Sequence, residues 1–249
     1  MIIVKSPLRI SLFGGSTDYE SFYKKHGSFI IGTTINKYVY LFVRQRPSIL
    51  SEESVIAYSK TEMVSSWDDI KNPLIRETLK YSGINQTIDF NSFSDIPART
   101  GLGGSSSFCV GLLKALAILQ NKTITPKSLA TNAITIERNI LQEAGGVQDQ
   151  IWAAYGGFNS IEITKSSKFL VKPLPITDEF KKSLEKSIIL IYTGEQRKQD
   201  LIAKSHENKN KTEILNISKE AYSLFIKEDI KSIGHLLYES WKNKSNIST

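Results

Sequence analysis

The chain of 249 residues has a single cysteine, Cys109, so it cannot form an internal disulfide. It has only three histidines and no Gly-x-Ser-x-Gly pattern, which argues against both a zinc site and a serine-hydrolase site. No run of about 18 apolar residues occurs, so we expect no membrane span. The first residues lack the charged, apolar and cleavage regions of a signal peptide. Together these absences predict a protein of the reducing cytoplasm.

Positive charge is in modest excess, with a net charge of +7, and most of the excess lies after residue 164. The basic residues are not interleaved with aromatic residues and form no recognisable nucleic-acid-binding motif. We therefore interpret them as a solvated face and expect no nucleic-acid partner. An anionic small substrate, such as a phosphate ester, is compatible with this charge.

The order of the predicted elements favours an α+β fold in two layers. A polar turn at 165–168 predicts a boundary between a domain over 1–164 and a domain over 165–249. Two tryptophans, Trp152 and Trp241, are expected in the core. Strands are predicted at 2–4, 8–13, 28–35, 38–46, 87–93, 158–163, 169–172 and 187–192. Helices are predicted at 73–81, 105–119, 126–142, 148–155, 178–186, 196–205, 211–227 and 229–244.

The strongest candidate site is the glycine- and serine-rich segment 97–107, which lies between a predicted strand and a predicted helix. Glycines leave backbone N–H groups free to point at an anion, and a helix N-terminus adds partial positive charge. Serine hydroxyls can donate to phosphate or ligate Mg²⁺. The segment has neither the lysine of a Walker loop nor the third glycine of a dinucleotide fingerprint. The alternative is an ordinary helix start with serine caps.

Two further segments carry polar residues beside paired glycines. In 7–19, an apolar strand ends in a loop with Arg9, Asp18 and hydroxyl side chains, which suits a polyhydroxylated ligand or a simple capped turn. In 137–150, Glu137 lies on a largely apolar helix and therefore needs a partner or a metal. Asp149 follows a Gly-Gly turn at a predicted helix start, where the alternative role is a first-turn carboxylate.

In this order and spacing, the three segments resemble the GHMP small-molecule kinases. The opening Pro-Leu-Arg-Ile-Ser-Leu-Phe-Gly-Gly-Ser-Thr-Asp-Tyr is similar to the family's first motif in its sugar-kinase form. Segment 97–107 is similar to the family's ATP-phosphate loop, usually written Pro-x3-Gly-Leu-Gly-Ser-Ser. The resemblance implies an N-terminal domain like ribosomal protein S5 domain 2 and a ferredoxin-like C-terminal domain. It also implies phosphoryl transfer from ATP, with Mg²⁺, to a sugar or sugar phosphate, with the anomeric hydroxyl of heptose 7-phosphate as the expected acceptor.

The resemblance also implies a role for individual residues. Asp149 matches the catalytic carboxylate that takes or orients the proton of the accepting hydroxyl, and Arg9 matches the basic residue beside it. Glu137 matches the carboxylate that binds Mg²⁺, with Ser105 as a second ligand. The residues expected to bind ATP are Pro97, Thr100, Gly101, Leu102, Gly103, Gly104, Ser105, Ser106 and Ser107. Those expected to bind the sugar substrate are Gly15, Ser16, Thr17, Asp18, Gly146 and Gln148.

The chain departs from the family pattern in two places. Gly104 stands where the family has a serine whose hydroxyl reaches Mg²⁺ or phosphate, and Ser105 takes that place if the loop shifts by one residue. After Gly157 only Gly194 and Gly234 remain, so the family's last glycine-rich motif is absent and we expect a truncated C-terminal domain. The alternative function is a nucleotide-binding relative without turnover on its own, and a homodimer is left open.

Overall fold

The structure is a computed structural model that describes residues 1–47, 49–50, 52–194 and 211–248. Those residues form a mixed α/β arrangement with one sheet. Its strands are β1 (Ile2–Phe13), β2 (Ser28–Gln45), β3 (Ser54–Ala57), β4 (Thr61–Val64), β5 (Ile88–Ser94), β6 (Phe158–Ile163) and β7 (Phe169–Pro173). The helices are α1 (Glu20–His26), α2 (Pro73–Ser82), α3 (Gly104–Leu119), α4 (Pro126–Ile134), α5 (Gln148–Tyr155), α6 (Asp178–Ser187), α7 (Thr212–Ile226) and α8 (Ile230–Ser248), with a 3₁₀ turn at Trp67–Asp69 and a π-helical turn at Thr135–Ile140.

The chain forms two compact units that are each built from separate stretches of sequence. Unit 1 comprises Met1–Arg9, Thr34–Glu143 and Asp149–Gly156, and unit 2 comprises Ile10–Thr33, Ala144–Gln148 and Gly157–Thr249. Strands β1 and β2 contribute one part to each unit. The domain boundary predicted between residues 164 and 165 stays a prediction.

Unit 1 is a sheet covered by helices. The second half of β2 pairs antiparallel with β5, β5 pairs parallel with β3, and β3 pairs antiparallel with β4. Helix α2 begins at Pro73, the predicted first residue, because Asn72 Oδ1 accepts hydrogen bonds from the N–H groups of Leu74 and Ile75 at 3.0 and 3.2 Å. The short strands β3 and β4 were not predicted. The core joins sheet and helix residues, among them Leu41, Ile56, Ile75, Phe90, Leu112 and Leu116.

Unit 2 is organised around the first half of β2 and the later helices. Strand β6 pairs antiparallel with residues 28–33 of β2 and, on its other side, with β7. The ring of Phe225 on α7 is the centre of the apolar core. It meets the rings of Phe13, Phe158 and Phe180 edge to face, at centroid distances of 6.2, 5.3 and 6.4 Å. Such pairs add about 0.5–1.5 kcal/mol each to the stabilisation from burying the rings.

Several predicted elements differ from the structure. The strands predicted at 2–4 and 8–13 are one strand, β1, and those predicted at 28–35 and 38–46 are one strand, β2. Pro7 does not interrupt β1 because that strand pairs with β2 alone among the strands described, and an edge strand tolerates a missing N–H donor. The helix predicted at 126–142 is α-helical only to Ile134 and continues as the π-helical turn.

The prediction of a buried strand at 187–192 was wrong. Its apolar residues are exposed, Ile189 by 82% and Ile191 by 76%, and in the described part of the chain the segment belongs to no strand. A continuous apolar run indicates burial only where a second surface covers it. Trp152 is buried as expected, but Trp241 is exposed on α8, where its ring stacks on Tyr238. The helix predicted at 196–205 lies outside the described residues.

Among the residues that the structure describes, no helix combines the length and the apolar character needed to cross a membrane.

Candidate active site

The glycine- and serine-rich loop ends at the N-terminus of α3 and belongs to unit 1. Its backbone takes positive φ at alternate residues, 66° at Arg99, 80° at Gly101 and 75° at Gly103, a conformation that glycine adopts without strain. Gly103 is the N-cap of α3 and offers no side-chain cap, and the first turn of the helix holds no acidic residue. The N–H groups of this turn therefore form a site for an anion, reinforced by the helix dipole.

The three serines of the loop have different environments. Ser107 Oγ donates to the carbonyl of Pro7 at 2.6 Å, which fixes the helix start against β1. Ser106 is buried and donates to the carboxylate of Glu137 at 2.8 Å. Ser105 is exposed. The serine that the structure brings to Glu137 is thus Ser106, one position beyond the residue favoured by the sequence.

An ion pair between Arg9 and Asp149 lies directly against this loop. Arg9 Nε donates to Asp149 Oδ1 and Arg9 Nη2 donates to Asp149 Oδ2, both at 2.7 Å. The third guanidinium nitrogen, Nη1, donates to the carbonyl of Gly101 at 2.9 Å, and the Arg9 N–H donates to the carbonyl of Leu102 at 3.1 Å. The two side chains are only 12% and 25% exposed, so the bidentate geometry is well shielded from solvent.

Close packing at Gly103 brings the loop backbone into contact with this pair. A Cβ atom at Gly103 would lie 3.2 Å from Arg9 Cγ and 3.4 Å from Asp149 Oδ2. Glycine at this position therefore lets the backbone at the N-terminus of α3 lie close to the Asp149 carboxylate, with no side chain between them. An anion bound at the helix start would lie beside one fixed cation and one fixed carboxylate.

Glu137 is a buried carboxylate on the π-helical turn. The wider turn places two consecutive side chains, Ile136 and Glu137, inside unit 1, and Glu137 is only 1% exposed. Single π-helical turns are frequent at functional sites. Burial raises the pKa of Glu137 to about 7, against the opposing effects of Arg138 and of hydrogen bonds from Ser106 and Gln150. Its Oε1 atom is buried without a hydrogen-bond partner.

These residues fit a nucleotide with a divalent cation. The described residues hold no cluster of three or more His, Cys, Asp or Glu side chains that could bind a metal by themselves. Mg²⁺ does not need one, because it usually takes one or two protein carboxylates and completes its shell with phosphate and water oxygens. The unpartnered Oε1 atom of Glu137 and the uncapped N-terminus of α3 supply the carboxylate and the phosphate site.

The residues expected to bind the sugar form a second polar cluster, within unit 2. Asp18 is buried, and its carboxylate accepts hydrogen bonds from the Gln148 N–H at 3.0 Å, Gln148 Nε2 at 3.2 Å and the Ser16 N–H at 3.1 Å. Thr17 Oγ1 donates to the carbonyl of Gly14 at 2.6 Å. Thr17 and Asp18 thus hold the 14–18 loop in shape, while Ser16 is partly exposed and has φ of 78°.

Residues 70–157 match the family described as the GHMP kinases N terminal domain. This chain contains a GHMP kinase N-terminal domain. The matched range covers the glycine- and serine-rich loop, Glu137 and Asp149.

Known relatives extend the likeness to nearly the whole chain. The D-glycero-alpha-D-manno-heptose 7-phosphate kinase of Campylobacter jejuni is 28% identical, over 99% of this chain and 78% of the relative. The galactokinase of Pyrococcus furiosus is 28% identical, over 93% of this chain and 62% of the relative. The crystal structure of a D-glycero-D-manno-heptose 1-phosphate kinase from Bacteroides thetaiotaomicron superposes with a TM-score of 0.84 at 26% identity, covering 98% of this chain and 79% of that one. The chain therefore has the GHMP kinase fold and is similar to sugar and sugar-phosphate kinases of this type.

Within this kinase fold, the structure groups the predicted site residues into two sets. Arg9, Asp149, Glu137 and the 97–107 loop come together in unit 1, and Asp18, Gly146 and Gln148 come together in unit 2. Sequence reasoning missed Gln150, which is fully buried and donates to Glu137. The available signal was physical: a carboxylate on an apolar helix needs a donor, and Gln150 is a polar residue on a short apolar helix.

Gly146 gives a first prediction, because a Cβ atom there would lie 1.7 Å from Asp18 Oδ2. Gly146→Ala must displace the Asp18 carboxylate and strain its bonds to Gln148. We expect the free energy of unfolding, measured in urea, to fall by about 1–3 kcal/mol, as for other overpacked sites. Gly234→Ala on α8 is the matched control, because a Cβ atom there would meet nothing within 4 Å. Since alanine favours a helix more than glycine does, this variant should be as stable as wild type or more stable. Equal stability of Gly146→Ala and wild type would contradict the prediction.

Proposed function

We propose that this chain is an ATP- and Mg²⁺-dependent kinase that phosphorylates the anomeric hydroxyl of D-glycero-D-manno-heptose 7-phosphate. The observation that carries the proposal is the Arg9–Asp149 pair, held against the backbone of the loop at the N-terminus of α3. It combines a proton acceptor, a fixed positive charge and a phosphate site within contact distance. The Campylobacter jejuni relative, which is named for a heptose 7-phosphate kinase, supports the choice of acceptor. The cytoplasm, where ATP is available, is the proposed place of action.

Phosphoryl transfer requires mainly positioning and charge neutralisation. When bound, ATP supplies the phosphoryl group, and Mg²⁺ neutralises charge on its phosphate oxygens. The N–H groups at the start of α3 would bind phosphate oxygens, and Glu137, with Ser106 or Ser105, would hold the metal. Arg9 keeps the Asp149 carboxylate in one orientation through both of its oxygens.

Proton transfer is the role proposed for Asp149. As the oxygen of the acceptor hydroxyl bonds to the γ-phosphorus, the bond from that phosphorus to ADP breaks, and the hydroxyl proton passes to the Asp149 carboxylate. Arg9 then balances the charge that develops on the transferring group. The loop at Gly15–Thr17, stiffened by Asp18 and by the 146–148 segment, is the proposed site of contact with the acceptor.

The test is ADP release by the purified chain with ATP, Mg²⁺ and a panel of acceptors. We expect turnover with heptose 7-phosphate and much less with heptose 1-phosphate, galactose or mevalonate. These three compounds are the acceptors suggested by the names of other similar kinases. Calorimetry with a non-hydrolysable ATP analogue is run beside it. Binding of the analogue without ADP release from any acceptor would instead support the alternative, a nucleotide-binding relative without turnover. Turnover with galactose alone would support kinase activity but would contradict heptose 7-phosphate as the acceptor.

A further inference from the structure

We infer that Gln150 is a positioning residue that aims one oxygen of the Glu137 carboxylate at the metal ion of the bound nucleotide. The inference rests on the proposed function and deepens it. Gln150 lies in the first turn of α5, directly after Asp149, and its side chain is fully buried.

The hydrogen bonds around Glu137 are unequally shared between its two oxygens. Ser106 Oγ donates to Oε2 at 2.8 Å, and Gln150 Nε2 donates to the same atom. Oε1 is buried and receives no hydrogen bond. A carboxylate held by two donors on one oxygen cannot rotate freely, and its other oxygen keeps its lone pairs for a further ligand. In a buried site, the group best suited to such an oxygen is a cation or a proton.

The position of Gln150 on α5 gives this contact a second consequence. Its neighbour Asp149 forms the ion pair with Arg9 beside the phosphate loop, whereas Gln150 reaches Glu137 on the π-helical turn. One turn of one helix thus fixes both carboxylates of unit 1 that the proposed chemistry uses. Groups that orient a metal ligand commonly change metal affinity by about 10–100-fold when they are removed.

A purely structural role would give a different result from a positioning role. If Gln150 only compensates the burial of Glu137, its loss lowers the stability of the protein and leaves metal binding to the folded form unchanged. If Gln150 orients Oε1, its loss weakens metal binding while nucleotide binding without metal stays the same. The two roles can therefore be separated by measuring metal and nucleotide affinity independently.

The experiment measures Mn²⁺ binding by electron paramagnetic resonance, which counts free Mn²⁺, in the presence of a saturating non-hydrolysable ATP analogue. We expect Gln150→Leu, which keeps the approximate volume but removes the donor, to weaken Mn²⁺ binding by about 10-fold or more. Calorimetry of the analogue in EDTA should give the wild-type affinity. Gln150→Asn, which keeps an amide on a side chain one methylene shorter, is the second variant should the leucine variant fail to fold. Gln120→Leu is the matched control, since it also removes a glutamine hydrogen bond in unit 1, to the carbonyl of Ser82.

Three outcomes count against the inference, and they can be told apart. Wild-type Mn²⁺ affinity in a folded Gln150 variant overturns the positioning role and leaves the proposed function intact. Absence of any saturable binding of analogue or Mn²⁺ to the wild-type chain overturns the proposed function together with the inference. Equal losses in Gln120→Leu and Gln150→Leu would also count against a specific role for Gln150.

Discussion

Asp149→Asn is expected to lower kcat for phosphoryl transfer by about 10²–10⁴-fold, the range that a positioned general base contributes. Asparagine has nearly the same size as aspartate but cannot accept the hydroxyl proton. It also lacks the charge that pairs with Arg9, whose Nε and Nη2 atoms each donate to one Asp149 oxygen at 2.7 Å. The loss should therefore appear in the chemical step, with the phosphate site at the start of α3 still formed.

The measurement compares kcat with nucleotide affinity in the same preparation. We expect the affinity for a non-hydrolysable ATP analogue to change by less than the rate, because the α3 N–H groups and Glu137 remain in place. Asp178→Asn is the matched control: Asp178 is exposed in the first turn of α6, where Lys181 is its ion-pair partner. Retention of wild-type kcat by Asp149→Asn would exclude proton transfer to this carboxylate.

The sequence predicted those parts of the candidate site that depend on residues close together in the chain. Glycines at 101 and 103 indicated a tight anion-binding loop, and the structure places both at positive φ at the start of α3. The bidentate pair between Arg9 and Asp149 could not be derived from composition or spacing, because 140 positions separate the two residues. Only the resemblance to a known family joined them before the fold was available.

The wrong predictions have one physical origin. A sequence pattern shows whether a segment prefers to be buried or helical, but not which other residues are close enough in the fold to pack against it. The apolar run at 187–192 has a strong preference for burial, yet Ile189 is 82% exposed. The register change at Thr135, where the α-helix becomes π-helical, has no signature in residue type and depends on how Ile136 and Glu137 pack inside unit 1.

Burial of Glu137 predicts an unusual dependence of stability on pH. Burial raises its pKa from 4.5 to about 7 in the folded protein. Between those two values the folded protein retains a proton that the unfolded chain has released, so the free energy of unfolding falls as pH rises. One pKa unit corresponds to about 1.36 kcal/mol, so the shift amounts to about 3 kcal/mol, lost progressively between about pH 4.5 and pH 7 and constant above it. Glu137→Gln, which carries an uncharged amide of the same shape, removes this pH-dependent change in the free energy of unfolding.

The difference between the two proteins isolates the effect of this one group from all other titrations. Urea unfolding of wild type and Glu137→Gln, measured in EDTA from pH 4.5 to pH 8, should give two curves that diverge with rising pH. The variant should gain about 3 kcal/mol relative to wild type by pH 7. Glu220→Gln, on an exposed position of α7, is the matched control and should follow the wild-type curve. Parallel curves for wild type and Glu137→Gln would show that the folded protein does not hold a proton on Glu137, and a divergence of opposite sign would show that its ionised form is the one stabilised by folding.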